Sequence, residues 1–182
     1  MRTMPVVFLL ILVQILLCIG SQAQEWARFR GPNGSGISEV TGIPVTWTDS
    51  DYNWKVGLPV QGGSSPVLWG KQIFLTGDDA EKKSRSILCF DAESGRLLWR
   101  RDYTFDSYYL HRDNDFASAT PCVDQDGVIV VWSTPKQVLM IALGLDGKEK
   151  WRRDLGPFRG LHGSASSPII ADGSVLLAND QM

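Results

Sequence analysis

Histidine is nearly missing from this chain and cysteine is scarce, with two of the first and three of the second in 182 residues. No His-Glu-x-x-His, Gly-x-Ser-x-Gly or Gly-x-x-x-x-Gly-Lys-Ser/Thr occurs, so zinc protease, serine hydrolase and P-loop chemistry lack their usual signals. Neither sign of charge dominates: the formal net charge is -2 and the pI is near 5.6. A chain this neutral exerts no long-range pull on nucleic acid or anionic lipid, which disfavours a role built on phosphate-backbone binding. After Gly42 no stretch carries the period of an amphipathic helix, and the pattern is strand, turn, strand to the end.

One long apolar run exists, and it stands at the N-terminus. Arg2 precedes Val6 to Ile19, broken only by Gln14, and Ser21 and Ala23 are the small residues expected before a cut after Ala23. This is the layout of a secretory signal peptide over 1–23, too short for a comfortable membrane span. The expectation is export to a periplasmic or secreted location, with no transmembrane anchor after cleavage. Cys18 follows Leu17, where lipid attachment wants a small residue. The mature chain then keeps Cys89 and Cys122, both inside apolar runs and read as buried thiols; a disulfide between them is chemically permitted in an exported protein. Residues 24–42 form a turn-rich arm, Gly31-Pro32-Asn33-Gly34-Ser35-Gly36 behind the aromatic anchors Trp26 and Phe29.

What the chain has in plenty is tryptophan, seven in all, and three of them keep time. Cys89-Phe-Asp-Ala-Glu-Ser-Gly-Arg-Leu-Leu-Trp99 is a strand end, a glycine turn and a return strand, and Ile141 to Trp151 repeats the plan; both copies run on into Arg-Arg-Asp. Trp54, Trp99 and Trp151 stand 45 and 52 residues apart, and the Ser/Thr-Pro pairs at Pro66, Pro121 and Pro168 stand 55 and 47 apart. Such periods fit a four-stranded propeller blade of roughly 40 to 50 residues and exclude hexapeptide coils. Strands are expected at 54–58, 65–69, 72–76, 86–90 and onward past Trp99, with a charged loop from Gly77 to Arg85; the second unit follows the same order, and a third starts at Ser167-Pro168. Proline is tolerated where a strand begins, so each Ser/Thr-Pro pair marks an innermost strand. A tryptophan on the outermost strand can cover the gap to the next sheet.

On these residues the chain resembles the β-propeller repeats related to pyrroloquinoline quinone (PQQ) enzymes, whose docking motif is Ala-x-Asp-x-x-x-Gly-x-x-x-Trp. Cys89 replaces the alanine while Asp91, Gly95 and Trp99 fit. In the second copy Ala142, Gly147 and Trp151 fit a variant one residue shorter, with Gly144 at the aspartate position. The resemblance implies an all-β fold, a partial β-propeller of four-stranded antiparallel blades, with about two and a half blades over 43–182. Closed propellers have roughly four to eight blades, so the chain is expected to be a fragment or truncated form of a longer protein. The blade-docking set is Asp91, Gly95, Trp99, Gly147 and Trp151.

Two functions follow from that resemblance. The first is a non-catalytic binding or scaffold propeller in the cell envelope, meeting protein partners through its blade loops and using no catalytic, cofactor-binding or metal residue. The alternative is a PQQ-dependent quinoprotein dehydrogenase of alcohols or sugars, which would require PQQ, Ca²⁺ and often an adjacent Cys-Cys pair. No such pair occurs, and Asp124-Gln125-Asp126-Gly127 begins a Ca²⁺ loop without its remaining ligands. The densest polar cluster, His111-Arg-Asp113-Asn114-Asp115, lies in the connection between blades, where binding faces form; with His162, before the third unit, it is the candidate binding-face loop.

Overall fold

Runs of Val, Ile, Leu and aromatic residues separated by glycine and aspartate turns pair antiparallel in the order in which they are synthesised. The computed structural model describes residues 25–106, 108–160 and 163–181; the signal peptide expected over 1–23 and His162 lie outside the described residues. The first sheet holds β1 (Val67–Trp69), β2 (Gln72–Asp79), β3 (Ser84–Asp91) and β4 (Leu97–Thr104). The second repeats it with β5 (Cys122–Asp124), β6 (Gly127–Thr134), β7 (Gln137–Leu143) and β8 (Glu149–Asp154). A third pairs β9 (Ile169–Ala171) with β10 (Ser174–Leu176). Among the described residues there is no α-helix, only a turn of 3-10 helix at Asp49–Asp51. The fold is all-β, built of propeller blades, as the motifs imply.

Two expected elements differ. Residues 54–58 form no strand; Trp54 instead lays its indole across the Gly95 turn and donates from Nε1 to the Ala92 carbonyl at 3.0 Å. The charged loop is also shorter than Gly77–Arg85, because Gly77, Asp78 and Asp79 pair with Ser86, Arg85 and Ser84 as the continuing ends of β2 and β3. Sequence polarity suggested a loop there, but the backbone ladder runs on until the turn at 80–83.

The middle strands β2, β3, β6 and β7 of the first two sheets are buried on both faces, as strand alternation requires of stacked blades. Phe74, Ile87 and Cys89 point from the first sheet toward Val128, Val130 and Trp132 of the second, forming one core. Ile129, Val131 and Met140 leave the opposite face of the second sheet and meet Ile170 and Val175 of the third. The innermost strands β1, β5 and β9 are spatial neighbours in that order.

Pro66, Pro121 and Pro168 each stand immediately before an innermost strand. The residue before each proline links its blade to a neighbour. Ser65 N–H donates to Thr120 Oγ1 at 2.9 Å, and Thr120 N–H donates to Ser167 Oγ at 3.0 Å. The Ser/Thr-Pro pairs are thus rungs of a ladder passed from blade to blade around the inner edge.

The outer edge is joined by aromatics on turns. Trp99 lies on the turn at Gly147, whose φ is +76°, and its Nε1 donates to the Leu145 carbonyl at 2.9 Å. A Cβ at Gly147 would stand 2.6 Å from the indole, whereas Gly173, at φ +71°, has open space around it. Gly147→Ala is therefore expected to destabilise the fold by about 2–4 kcal/mol through strain and displacement of the docked ring. Gly173→Ala should cost only the backbone strain, about 1 kcal/mol. Equilibrium urea denaturation followed by tryptophan fluorescence measures both, and equal losses would refute the docking contact.

Candidate functional site

The β2–β3 and β6–β7 turns and the long connection 105–119 gather at one end of the blades, whereas the glycine turns at 95 and 147 lie at the other. Residues 111–115 form one turn in that connection. His111 Nδ1 accepts the Asp113 amide at 3.3 Å and lies 3.5 Å from the Asp113 carboxylate. Asn114 and Asp115 brace the loop from within: Ser118 Oγ donates to Asn114 Oδ1, and Asp115 Oδ1 accepts the Ala117 amide at 2.8 Å. The structure so brings His111, Asp113, Asn114 and Asp115 together, with their polar atoms engaged in shaping the connection.

Asp91, Gly95, Trp99 and Gly147 fall at the blade junctions of the opposite end. Asp91 Oδ1 accepts the Ser94 hydroxyl at 2.6 Å and the Ser94 amide at 2.8 Å, and these bonds hold its carboxyl below the usual range. Gly144, at the matching place, keeps the same backbone bonds, its N–H to Lys148 and its carbonyl from Gly147. Trp151 lines a small cleft of about 220 Å³ against Ile170 and Gly173. Two further docking residues carry no motif. Alternation along β4 puts Arg101 and Tyr103 on the Trp99 side, where Arg101 Nε donates to the Gly147 carbonyl at 2.7 Å and Tyr103 Oη to Glu149 at 3.2 Å.

Above the junction core a larger cleft of about 710 Å³ opens between the first two blades, with Arg85, Tyr103, Phe105, Trp132, Lys136 and Asp154 among its walls. Arg85 belongs to the set Arg85, Ile87, Cys89 that alternation aims at the second blade, and only 4% of its surface is exposed. Its guanidinium donates to Tyr108 Oη at 2.7 Å and the Ser133 carbonyl at 3.1 Å, and lies 4.6 Å from the Phe105 ring centre. Burial lowers its pKa and raises that of Tyr108. Asp78 faces Arg85 across the ladder, but no ion pair joins them among the described residues. Burial, and then the charge of Asp115, push the Asp78 carboxyl up. This cluster went unseen in the sequence, where Arg85 reads as the end of a charged loop.

The cleft carries little equipment for catalysis. Asp106 is held ionised by Lys136 at 2.8 Å, and Asp154 by Gln137 at 2.8 Å, so neither is poised as a general acid near neutrality. Among the described residues no three His, Cys, Asp or Glu side chains converge as metal ligands. Cys89 and Cys122 are free, and burial pushes both thiols up to about 12. No described helix is long and apolar enough to cross a membrane.

The family model described as outer membrane protein assembly factor BamB matches residues 39–181. No curated protein matches the chain. Among solved structures, BamB from Moraxella catarrhalis is similar at 16% identity and TM-score 0.44, over 69% of this chain and 33% of that one. A europium-containing methanol dehydrogenase is similar at 20% identity and TM-score 0.37, over 53% of this chain and 15% of that one. The chain thus spans a third or less of the length of these structures.

Two outcomes follow from the titrating groups. A thiol with a pKa near 12 is almost wholly protonated at neutral pH and unreactive; Cys89 and Cys122 should resist alkylation at pH 7.5 in the folded protein and react in 6 M urea, as read by intact mass. Asp78 binds its proton more tightly folded than unfolded, so its contribution is most favourable below 3.8 and is lost as pH rises through the folded pKa. Asp78→Asn should therefore gain stability relative to the parent between pH 4 and pH 7. Urea midpoints at the two pH values test this, and a gap that shrinks with rising pH would reverse the assignment.

Proposed function

Since this chain belongs to the family described as outer membrane protein assembly factor BamB, we propose that it is an exported, non-catalytic propeller that serves as a binding or scaffold module for protein partners in the cell envelope. The observation that carries this reading is the face formed by the connection 105–119 and the neighbouring turns. It offers a deep mixed cleft walled by aromatic and hydrogen-bonding side chains, whose rim carboxylates are already paired. Aromatic residues and arginine supply most of the energy at protein interfaces, and Phe105 and Tyr108 of the same connection line the cleft with Arg85. Tyr109 is 83% exposed there. The reading places the chain in the periplasm or outside the cell, with no cofactor needed by these blades.

The experiment replaces Tyr109 by a photo-crosslinking amino acid in the full chain within its own cells, and assays the purified protein, supplied with PQQ and Ca²⁺, for alcohol-dependent dye reduction. Discrete crosslinks to envelope proteins without turnover are expected. Quinone-dependent turnover, or a protein that never leaves the cytoplasm, would overturn the proposal.

A further inference from the structure

The segment that precedes the first blade has the pattern of half a blade with no sheet to join. Trp54 docks on the Gly95 turn as Trp99 docks on the Gly147 turn, each indole donating to a carbonyl of that turn. Counting back from each tryptophan, Ile43 and Val45 take the places of Leu88 and Phe90 on β3, and the turn Asp49–Asp51 takes the place of the glycine turn. Leu88 and Phe90 are buried in the first sheet, whereas Ile43 is 66% and Val45 92% exposed. Residues 43–47 and 54–58 thus correspond to a third and an outermost strand. They stay unpaired because no sheet takes them up among the described residues.

The other end shows the reverse. β9 and β10 are the two inner strands of a blade, and among the described residues β10 has β9 as its sole neighbour. Leu176 stands exposed on that edge. Trp151, the docking tryptophan of the second blade, is exposed beside an open cleft of about 220 Å³, where Trp99 in the same place lies on a turn. An edge strand with unpaired backbone groups is a template for strand addition.

We infer that the two ends complete one another between copies: residues 43–58 of one chain add to β10 of a second copy of this chain, giving a blade with its inner strands from one and its outer strands from the other. The register specifies a charged contact as well. Arg101, two residues after Trp99, donates to the carbonyl of Gly147, four residues before Trp151. The matching pair across the shared blade is Arg153, which is exposed, and Ser50 of the other copy, which stands between Asp49 and Asp51. An arginine so meets an acidic turn, and Trp151 gains the turn it lacks. The number of blades agrees. Each chain holds two whole blades and two complementary halves, so two copies close a ring of six. Closed propellers have roughly four to eight blades, a range that three copies would exceed, and closed pairs are the commonest symmetric assembly.

Sedimentation equilibrium of the full chain tests the pairing, with twice the mass of one chain expected. Val45→Asp alters the added segment and Leu176→Asp the receiving edge. Both side chains are exposed in the single chain, so neither change should disturb its fold, as circular dichroism checks. Each should weaken association at least about tenfold by burying a charge. A mixture of the two variants keeps one shared blade free of substitution and should associate more tightly than either variant alone. A single-chain mass at every concentration, an association that both substitutions leave unchanged, or a mixture no tighter than its components would overturn the proposal. So would a single-chain mass for the protein from its own cells, which would mean that residues 43–58 pair within their own chain. Tyr109 lies on another connection, so crosslinks there test the scaffold reading separately.

Discussion

A sheet that is apolar on both faces is stable only between two others, and every other feature of this chain answers to that requirement. Alternation sends Phe74, Ile87 and Cys89 forward into the second blade and Leu75, Leu88 and Phe90 back toward Val60. Neither set could face water without giving up about 25 cal/mol for each Å² of apolar surface. Burial alone does not set the angle between blades, because apolar contact has no direction. Direction comes from the hydrogen bonds at the two edges: the Ser65–Thr120–Ser167 ladder near the axis, and the indole of Trp99 held by the Leu145 carbonyl at the rim.

The two ends of a junction are treated differently. At the glycine-turn end Trp99, Arg101 and Tyr103 close the seam with three polar contacts onto residues 145–149. At the other end the same alternating rows give out in Arg85 and Trp132, and the blades part into a cleft roofed on one side by the connection 105–119. Firm closure at one end is what allows opening at the other, since blade spacing is already fixed by the time the rows reach Arg85.

What the sequence displayed was whatever repeats or lies close along the chain. Pro66, Pro121 and Pro168 could be aligned by counting, and a glycine four residues before a tryptophan is a local pattern. Arg101 and Tyr103 were within reach too, two and four residues beyond Trp99 on the same strand face, but needed the partner turn to be recognised. The segment 54–58 was misread because a tryptophan on a docking turn and a tryptophan at a strand end look alike in one dimension. Arg85 was hidden for a stronger reason. Its meaning comes from Ser133, 48 residues away, and from Tyr108 on a connection of irregular backbone, and no periodicity relates those three.

Repetition sharpens the meaning of such exceptions. Where two blades solve one packing problem twice, a position occupied by Val138 in one and Arg85 in the other shows that the arginine is not demanded by the fold. The same comparison sets Trp132 against Gly77. A buried cation costs desolvation wherever it stands, even with Asp78 facing it across the ladder, and the valine of the second blade shows the fold managing without one. The departure also falls at the open end of the seam, where the blades part, and not at the closed end, where a charge could have been absorbed by the turn carbonyls that already hold Arg101. Its placement therefore sets it apart from the bonds by which the scaffold holds itself together.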